Sequence, residues 1–147
     1  MLYLAYGSNL NRAQFAARCP GSRPVSQATL RGWRLAFRGN GHADIVRQKG
    51  SIVQGALYEV TDGDLAALDR YEGVPHYYHR IKVRVRDDAG RLVWALAYKM
   101  RTDAADDLPS LSYALTIVRG CRDWGIEPDD EVRAALEAAL EAAGGKE

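Results

Sequence analysis

Leu2-Tyr3-Leu4-Ala5-Tyr6-Gly7-Ser8-Asn9, near the start of the 147-residue chain, joins a short apolar segment to a sharp turn. Five apolar or aromatic residues in a row predict a central strand, because a strand covered on both faces shows no alternation. Gly7 lets the backbone turn and a ligand approach closely. Free N–H groups between this strand and a helix capped by Asn9 or Asn11 can bind a carboxylate or phosphate. Spacing alone favours the simpler interpretation of an ordinary strand–turn–helix connection.

The rest of the chain indicates an α+β protein with a mostly β core. Strand-like segments alternate with Gly-rich or charged turns, at 27–30, 33–38, 43–47, 52–60, 78–86 and 92–100. Two helical segments follow, over 110–124 and 129–143. We expect about six strands in a curled or closed sheet with helices packed around it, in a single domain over residues 1–147.

One helix in the middle of the chain ends on an acidic residue. Thr61-Asp62-Gly63-Asp64 resembles a capping box, and Leu65, Leu68 and Glu72 share one helical face. Gly73 is a typical helix terminator. The C-terminal end of the helix dipole and an apolar face both disfavour negative charge, so we expect a raised pKa for Glu72. Such a carboxylate can shuttle a proton near neutral pH, whereas a frayed last turn would instead let it point into water.

The composition narrows the classes of protein that are possible. An apolar content of 47% argues against disorder, and a net charge of +1 gives no field for nucleic acid or an acidic surface. No apolar run approaches the roughly 20 residues that span a bilayer, and the N-terminus lacks the basic region of a signal peptide. Cys19 and Cys121 are far apart and have no metal-ligand spacing, so we expect buried thiols in a reducing compartment. These features predict a soluble, cytoplasmic protein.

Two motifs resemble signatures of the γ-glutamylcyclotransferase family, which includes γ-glutamylamine cyclotransferases and the AIG2-like and butirosin-pathway proteins. The first is Tyr3-Leu4-Ala5-Tyr6-Gly7-Ser8-Asn9-Leu10. The second, Leu68-Asp69-Arg70-Tyr71-Glu72-Gly73-Val74-Pro75 followed by Tyr77-Tyr78, is similar to the family's acid-bearing loop. Ala97-Tyr98 and Pro109-Ser110-Leu111-Ser112-Tyr113 follow in family order, so the resemblance runs to about residue 125. Asn9 stands where glutathione-specific members have Leu, which argues against a dedicated glutathione-degrading role.

The resemblance implies a small mixed β-barrel with peripheral helices. It implies cleavage of a γ-glutamyl amide by intramolecular cyclisation, which releases 5-oxoproline and a free amine or amino acid. It places the catalytic carboxylate at Glu72 and the substrate contacts at Tyr3, Tyr6, Gly7, Ser8, Asn9, Tyr78, Tyr98 and Tyr113. It also implies a small-molecule γ-glutamyl partner, no metal or organic cofactor, and no nucleic-acid or membrane partner. Family members include dimers, so a homodimer is an assembly to test.

An amidase that uses Ser8 as nucleophile is one alternative. Ser8 lies on a sharp turn, and His42, His76 or His79 could act as its base. The chain has no Gly-x-Ser-x-Gly elbow, which weakens this alternative.

A non-enzymatic binding module is the other alternative. Arg80, Lys82, Arg84 and Arg86 occupy one face of a predicted strand and could follow a phosphate backbone. A cationic strand face is more often a solvated surface that discourages edge pairing. No second basic patch in the sequence supports nucleic-acid binding.

Overall fold

The computed structural model describes residues 1–101 and 104–144, and within them the chain forms a closed, five-stranded mixed barrel. The order around the barrel is β1-β3-β2-β4-β5. Strand β1 pairs in parallel with β5 to close the barrel, whereas the other neighbours are antiparallel. The strands are β1 (Leu2–Ala5), β2 (Arg23–Arg38), β3 (His42–Glu59), β4 (Tyr78–Asp87) and β5 (Leu92–Met100).

The expected α+β barrel with peripheral helices is confirmed, but it has five strands rather than about six. Four predicted segments merge into two long strands, β2 and β3, which pair from Arg23↔Glu59 to Arg38↔His42. The register is irregular between Arg31 and Trp33. Gly32 lies in that interval and Gly50 lies opposite it, both with positive φ (86° and 88°). These glycines bend the ribbon without ending it, because they adopt left-handed backbone conformations at little cost.

Four α-helices and one 3-10 turn surround the barrel in the described residues. They are a 3-10 helix (Ser8–Leu10), α1 (Arg12–Arg18), α2 (Asp62–Glu72), α3 (Leu111–Trp124) and α4 (Asp130–Gly144). The Asn11 side chain caps α1, and Thr61 and Asp64 form the predicted capping box of α2. No helix in the described part of the chain is long and apolar enough to cross a membrane.

The core places the first strand and the turn after it at the centre of the molecule. Tyr3, Leu4 and Ala5 are almost fully buried, as predicted for a central strand. Helix α3 packs closely on the 3-10 helix at Gly120, where an added Cβ would lie 2.5 Å from the Asn11 nitrogen. Because β1, the turn and α3 are locked together in this way, their side chains reach a common pocket at one end of the barrel.

Candidate active site

The predicted site residues line one pocket with a volume of about 240 Å³. They come from β1, the turn, α2, β4, β5 and α3, and they are Tyr3, Tyr6, Gly7, Ser8, Asn9, Glu72, Tyr78, Tyr98 and Tyr113. Four further residues line the pocket that were not in the predicted substrate-binding set: His42, Ala43, Tyr71 and Tyr77. The sequence had placed Tyr71 and Tyr77 beside the acid and had offered His42 only as a base for Ser8. Seven tyrosines and one carboxylate therefore dominate a cavity that is only large enough for a small substrate group.

Among the residues that the structure describes, Glu72 is the only acidic one that lines this pocket. It is the last residue of α2, directly before Gly73, which adopts a left-handed conformation (φ 67°). Burial raises the pKa of the Glu72 carboxyl from 4.5 to about 7, and the nearby Arg18 guanidinium lowers it in part. No other described residue donates a hydrogen bond to this carboxylate or pairs with it. Glu72 is therefore half-ionised near pH 7 and free to exchange protons with a ligand.

The turn after β1 requires glycine for steric reasons. A Cβ on Gly7 would lie 2.9 Å from the Ala43 Cβ and 3.5 Å from the Tyr113 hydroxyl. Gly7 caps the short 3-10 helix, and the first N–H groups of a helix have no intrahelical acceptor. The backbone amides of Ser8 and Asn9 are thus available to a ligand beside the glycine.

Asn9 holds its neighbours in place with its side chain. Its amide nitrogen donates to the Tyr3 hydroxyl (2.9 Å), and its amide oxygen accepts a hydrogen bond from Arg18. Its backbone carbonyl accepts from the Tyr58 hydroxyl (2.9 Å). The Arg18 guanidinium in turn lies 3.4 Å from the centre of the Tyr71 ring. Tyr71 directly precedes Glu72 in the chain. Asn9 and Arg18 therefore connect the turn to the end of α2 that carries the acid.

Three tyrosine hydroxyls in the pocket already donate their protons to the protein. Tyr6 donates to the Tyr98 carbonyl, and Tyr78 donates to the Ala43 carbonyl (2.7 Å). Tyr98 donates to the Asp69 carboxylate (2.7 Å). Each of these oxygens can then only accept a hydrogen bond from a ligand. Together with Glu72 they form an acceptor-rich wall that suits an ammonium group.

Two other hydroxyls keep their protons for a ligand. The Tyr3 oxygen accepts from Asn9, and the Tyr113 oxygen accepts from the Ala43 amide (3.0 Å). Burial raises the pKa of Tyr3 well above its usual range and that of Tyr113 to about 12, so both stay protonated. With the amides of the turn, these hydroxyls form a donor-rich region that suits a carboxylate or carbonyl oxygen.

Asp69 and Arg80 support the pocket from outside. Asp69 lies on α2 three residues before Glu72, and both of its oxygens accept from the Arg80 guanidinium. The Arg80 guanidinium lowers the pKa of Asp69, and the Tyr98 hydroxyl lowers it further. Asp69 thereby fixes the Tyr98 hydroxyl and the helix that carries the acid. Asp69 lies three residues before Glu72 on α2, a spacing that could have suggested a supporting role for Asp69. Nothing in the sequence indicated that its partners would be Arg80 on β4 and Tyr98 on β5.

The geometry does not favour the Ser8 amidase. Only His42, of the three candidate histidines, lines the pocket, and its Nδ1 lies 3.4 Å from the Tyr77 hydroxyl. Ser8 interacts instead with the Tyr113 hydroxyl. In the described residues no histidine hydrogen-bonds to Ser8, so its hydroxyl has no base to activate it.

The predicted basic strand face is present on β4. Lys82, Arg84 and Arg86 are exposed, and Val83 and Val85 between them are buried, as the alternation predicts. Three of the four basic residues have partners within the protein, and the Arg84 guanidinium lies 5.7 Å from the centre of the Trp94 ring. Arg80 pairs with Asp69, and Arg86 donates to the Gly90 carbonyl. This pattern fits a solvated outer face of the barrel.

The fold and the pocket define a small closed-barrel protein with a tyrosine-lined site built around one carboxylate. Residues 3–115 match the family described as γ-glutamyl cyclotransferase, AIG2-like, and the chain belongs to this family. It is 31% identical over 137 residues to a γ-glutamylcyclotransferase from Bos taurus and 29% over 136 residues to one from Homo sapiens. Each alignment covers 85% of this chain and 72% of the relative.

A solved structure supports the same assignment. A γ-glutamyl cyclotransferase structure superposes with a TM-score of 0.81 and 26% identity, over 94% of this chain and 98% of that one. The chain is therefore an enzyme of the γ-glutamyl cyclotransferase type.

Proposed function

We propose that this enzyme cleaves a γ-glutamyl amide by intramolecular cyclisation, with Glu72 as the proton-transfer group. The observation that supports the proposal is a half-buried Glu72 with a pKa raised to about 7, which lines the same pocket of about 240 Å³ as the donor-rich turn and has no hydrogen-bond partner among the described residues. The substrate supplies its own nucleophile, the α-amine. The protein then has to bind the glutamyl group in a folded rotamer and move protons.

The hydrogen-bond directions in the pocket support one orientation of the glutamyl group. The α-carboxylate binds the amides of Ser8 and Asn9 and the hydroxyls of Tyr3 and Tyr113. The α-ammonium faces Glu72 and the acceptor oxygens on the opposite wall. The γ-carbonyl carbon is then within reach of the α-nitrogen, since the two atoms belong to the same five-membered ring of the product.

The proton balance of the reaction fits one carboxylate of intermediate pKa. The α-nitrogen begins as an ammonium with three protons and ends as a lactam N–H, so two protons must leave it. Glu72 takes the first, the free amine attacks the γ-carbonyl, and the amide C–N bond breaks as Glu72 protonates the leaving nitrogen. The second proton leaves the new ring nitrogen and completes the ammonium form of the released amine. A group with a pKa near 7 can accept and donate at the same pH.

The test is release of 5-oxoproline by Glu72→Gln, with wild type and Glu141→Gln as references. Glu141 is an exposed glutamate on α4, far from the pocket lining, and controls for loss of one carboxylate. Loss of a positioned acid–base should lower turnover by about 100-fold or more while substrate binding persists. If Glu72→Gln keeps more than about a tenth of wild-type turnover, the role of Glu72 is wrong.

The product distinguishes cyclisation from the amidase alternative. Cyclisation yields 5-oxoproline and leaves the protein unmodified at every stage. A Ser8 amidase would yield free glutamate and would be labelled covalently at Ser8 by a fluorophosphonate. The predictions of a cytoplasmic location, a homodimer, and no nucleic-acid or membrane partner stay predictions.

A further inference from the structure

A second cavity adjoins the pocket, on the other side of His42 and Tyr113. Its volume is about 320 Å³, and His42 and Tyr113 line both cavities. Its remaining walls come from the first turn of α1, the β2–β3 turn and the first turns of α3. We call it the side cleft. A molecule that fills the pocket and extends past His42 would enter it.

The side cleft is polar but carries no formal charge. Its side chains offer amides and hydroxyls from Gln14, Asn40, Ser110, Ser112 and Thr116, and none of its lining residues is Asp, Glu, Lys or Arg. Helix α3 begins at this cleft behind its cap, Ser110, and has no acidic residue in its first turn. A cationic group would therefore meet the positive end of a helix dipole and no counter-charge.

One acceptor in the side cleft lacks a partner. The Gln14 Oε1 is fully buried, and no described residue donates a hydrogen bond to it. Buried polar atoms of folded proteins are almost always hydrogen-bonded. Rotation of the Gln14 amide about its last bond would bring this oxygen to the cleft surface, where a ligand N–H or O–H would supply the missing donor.

We propose, on the basis of the function proposed above, that the side cleft binds the leaving amine and selects an amine with an uncharged hydrogen-bonding group, at the expense of apolar or cationic amines. A pocket of about 240 Å³ accommodates the glutamyl group but leaves little room for a second one. The rest of the substrate must extend beyond it. The side cleft shares His42 and Tyr113 with the pocket, and it has the volume and the uncharged polar side chains to receive the leaving amine.

Three γ-glutamyl amides of equal length provide the test: the 2-hydroxyethylamide, the propylamide and the 2-aminoethylamide. They place a hydroxyl, a methyl or an ammonium group at the same distance from the scissile nitrogen. The purified full chain is assayed for 5-oxoproline, and kcat/KM is compared. One or two new hydrogen bonds should favour the hydroxyethylamide over each of the other two by about fivefold or more.

Variants of the cleft assign the preference to it. Gln14→Met keeps the length of the side chain and removes its amide, and Ser112→Ala removes one exposed hydroxyl from the cleft. Each should lower the hydroxyethyl-to-propyl ratio of kcat/KM by about threefold or more. The control is Gln48→Met, the same exchange at an exposed position on β3 outside both cavities, which should leave the ratio unchanged. Thermal unfolding of each variant verifies that it is folded.

The outcomes separate this inference from the proposed function. If the propylamide or the aminoethylamide is the best substrate, or if both cleft variants leave the ratio as in wild type, the leaving-amine assignment is wrong and cyclisation stands. If no amide yields 5-oxoproline with the wild-type enzyme, the proposed function fails, and the inference that rests on it fails too.

Discussion

Replacing Glu72 by glutamine should stabilise the folded protein above pH 7, in addition to removing its proposed activity. Burial raises the pKa of Glu72 in the folded state from 4.5 to about 7. The folded state therefore binds this proton more tightly than the unfolded state does. Ionisation of the buried Glu72 therefore lowers the free energy of unfolding, and an uncharged glutamine at this position avoids that loss.

The size and pH range of this effect follow from the shift. Each pKa unit corresponds to about 1.4 kcal/mol, so the full penalty is about 3 kcal/mol. Because Glu72 is partly exposed to solvent in the pocket, we expect a measured gain of about 1–3 kcal/mol. Below pH 4.5 the carboxyl is protonated in both states and contributes nothing. The penalty grows between pH 4.5 and about 7, where only the unfolded state ionises readily, and is constant above.

Urea and thermal unfolding of wild type, Glu72→Gln and Glu141→Gln at pH 5 and pH 8 measure the effect. A gain of 1–3 kcal/mol should raise the Tm of Glu72→Gln by about 3–9 °C at pH 8. At pH 5 the gain should fall below about 1 kcal/mol. The exposed Glu141 should show no such difference. If Glu72→Gln is no more stable than wild type at pH 8, or gains equally at both pH values, Glu72 is not a carboxyl destabilised by burial.

Three other substitutions have defined outcomes. Arg18→Gln removes the cation that lowers the pKa of Glu72. The acidic limb of the pH profile of kcat/KM for 5-oxoproline release should therefore move to higher pH. If that limb does not move, the Arg18 guanidinium does not influence the pKa of Glu72. Tyr98→Phe removes one acceptor oxygen from the pocket and the hydrogen bond to Asp69, so it should raise KM by about threefold to tenfold and lower the free energy of unfolding by about 1–3 kcal/mol. An unchanged KM would show that this hydroxyl does not contact substrate. Gly120→Ala places a Cβ 2.5 Å from a backbone nitrogen, so it should lower the free energy of unfolding by about 3 kcal/mol. Gly144→Ala, which meets no atom within 4 Å, is its control in the same urea titration.

Some features of the fold could be predicted from the sequence because they depend only on residues that are close together in the chain. The capping box at Thr61, the helix end at Gly73 and the central first strand are all local patterns, and the structure shows them as expected. The barrel has five strands instead of about six because a glycine in a turn-like sequence can equally bend a long strand. Whether Gly32 and Gly50 end or bend a strand depends on pairing along the whole β2–β3 ribbon.

The partners of the site residues could not be read in the same way. Asp69 holds the Tyr98 hydroxyl across 29 positions, and Arg18 reaches the Tyr71 ring across 53. The side cleft likewise joins the starts of α1 and α3, about a hundred residues apart in the chain. No spacing rule connects such positions, because only barrel closure brings them together.

The sequence by itself predicted two elements of this site, the Gly7 turn and the acid at Glu72, because each belongs to a short motif that resembles a family signature. Spacing alone left an ordinary turn and a solvent-exposed helix end as alternatives. The tertiary structure decided that the turn and the acid line one pocket. It also decided which tyrosine hydroxyls accept and which donate, since each direction depends on a partner from another element. The pKa of Glu72 depends on the sequence and on the tertiary structure. The sequence motif places a carboxyl at the end of an apolar helix face, and burial in the folded protein raises its pKa to about 7.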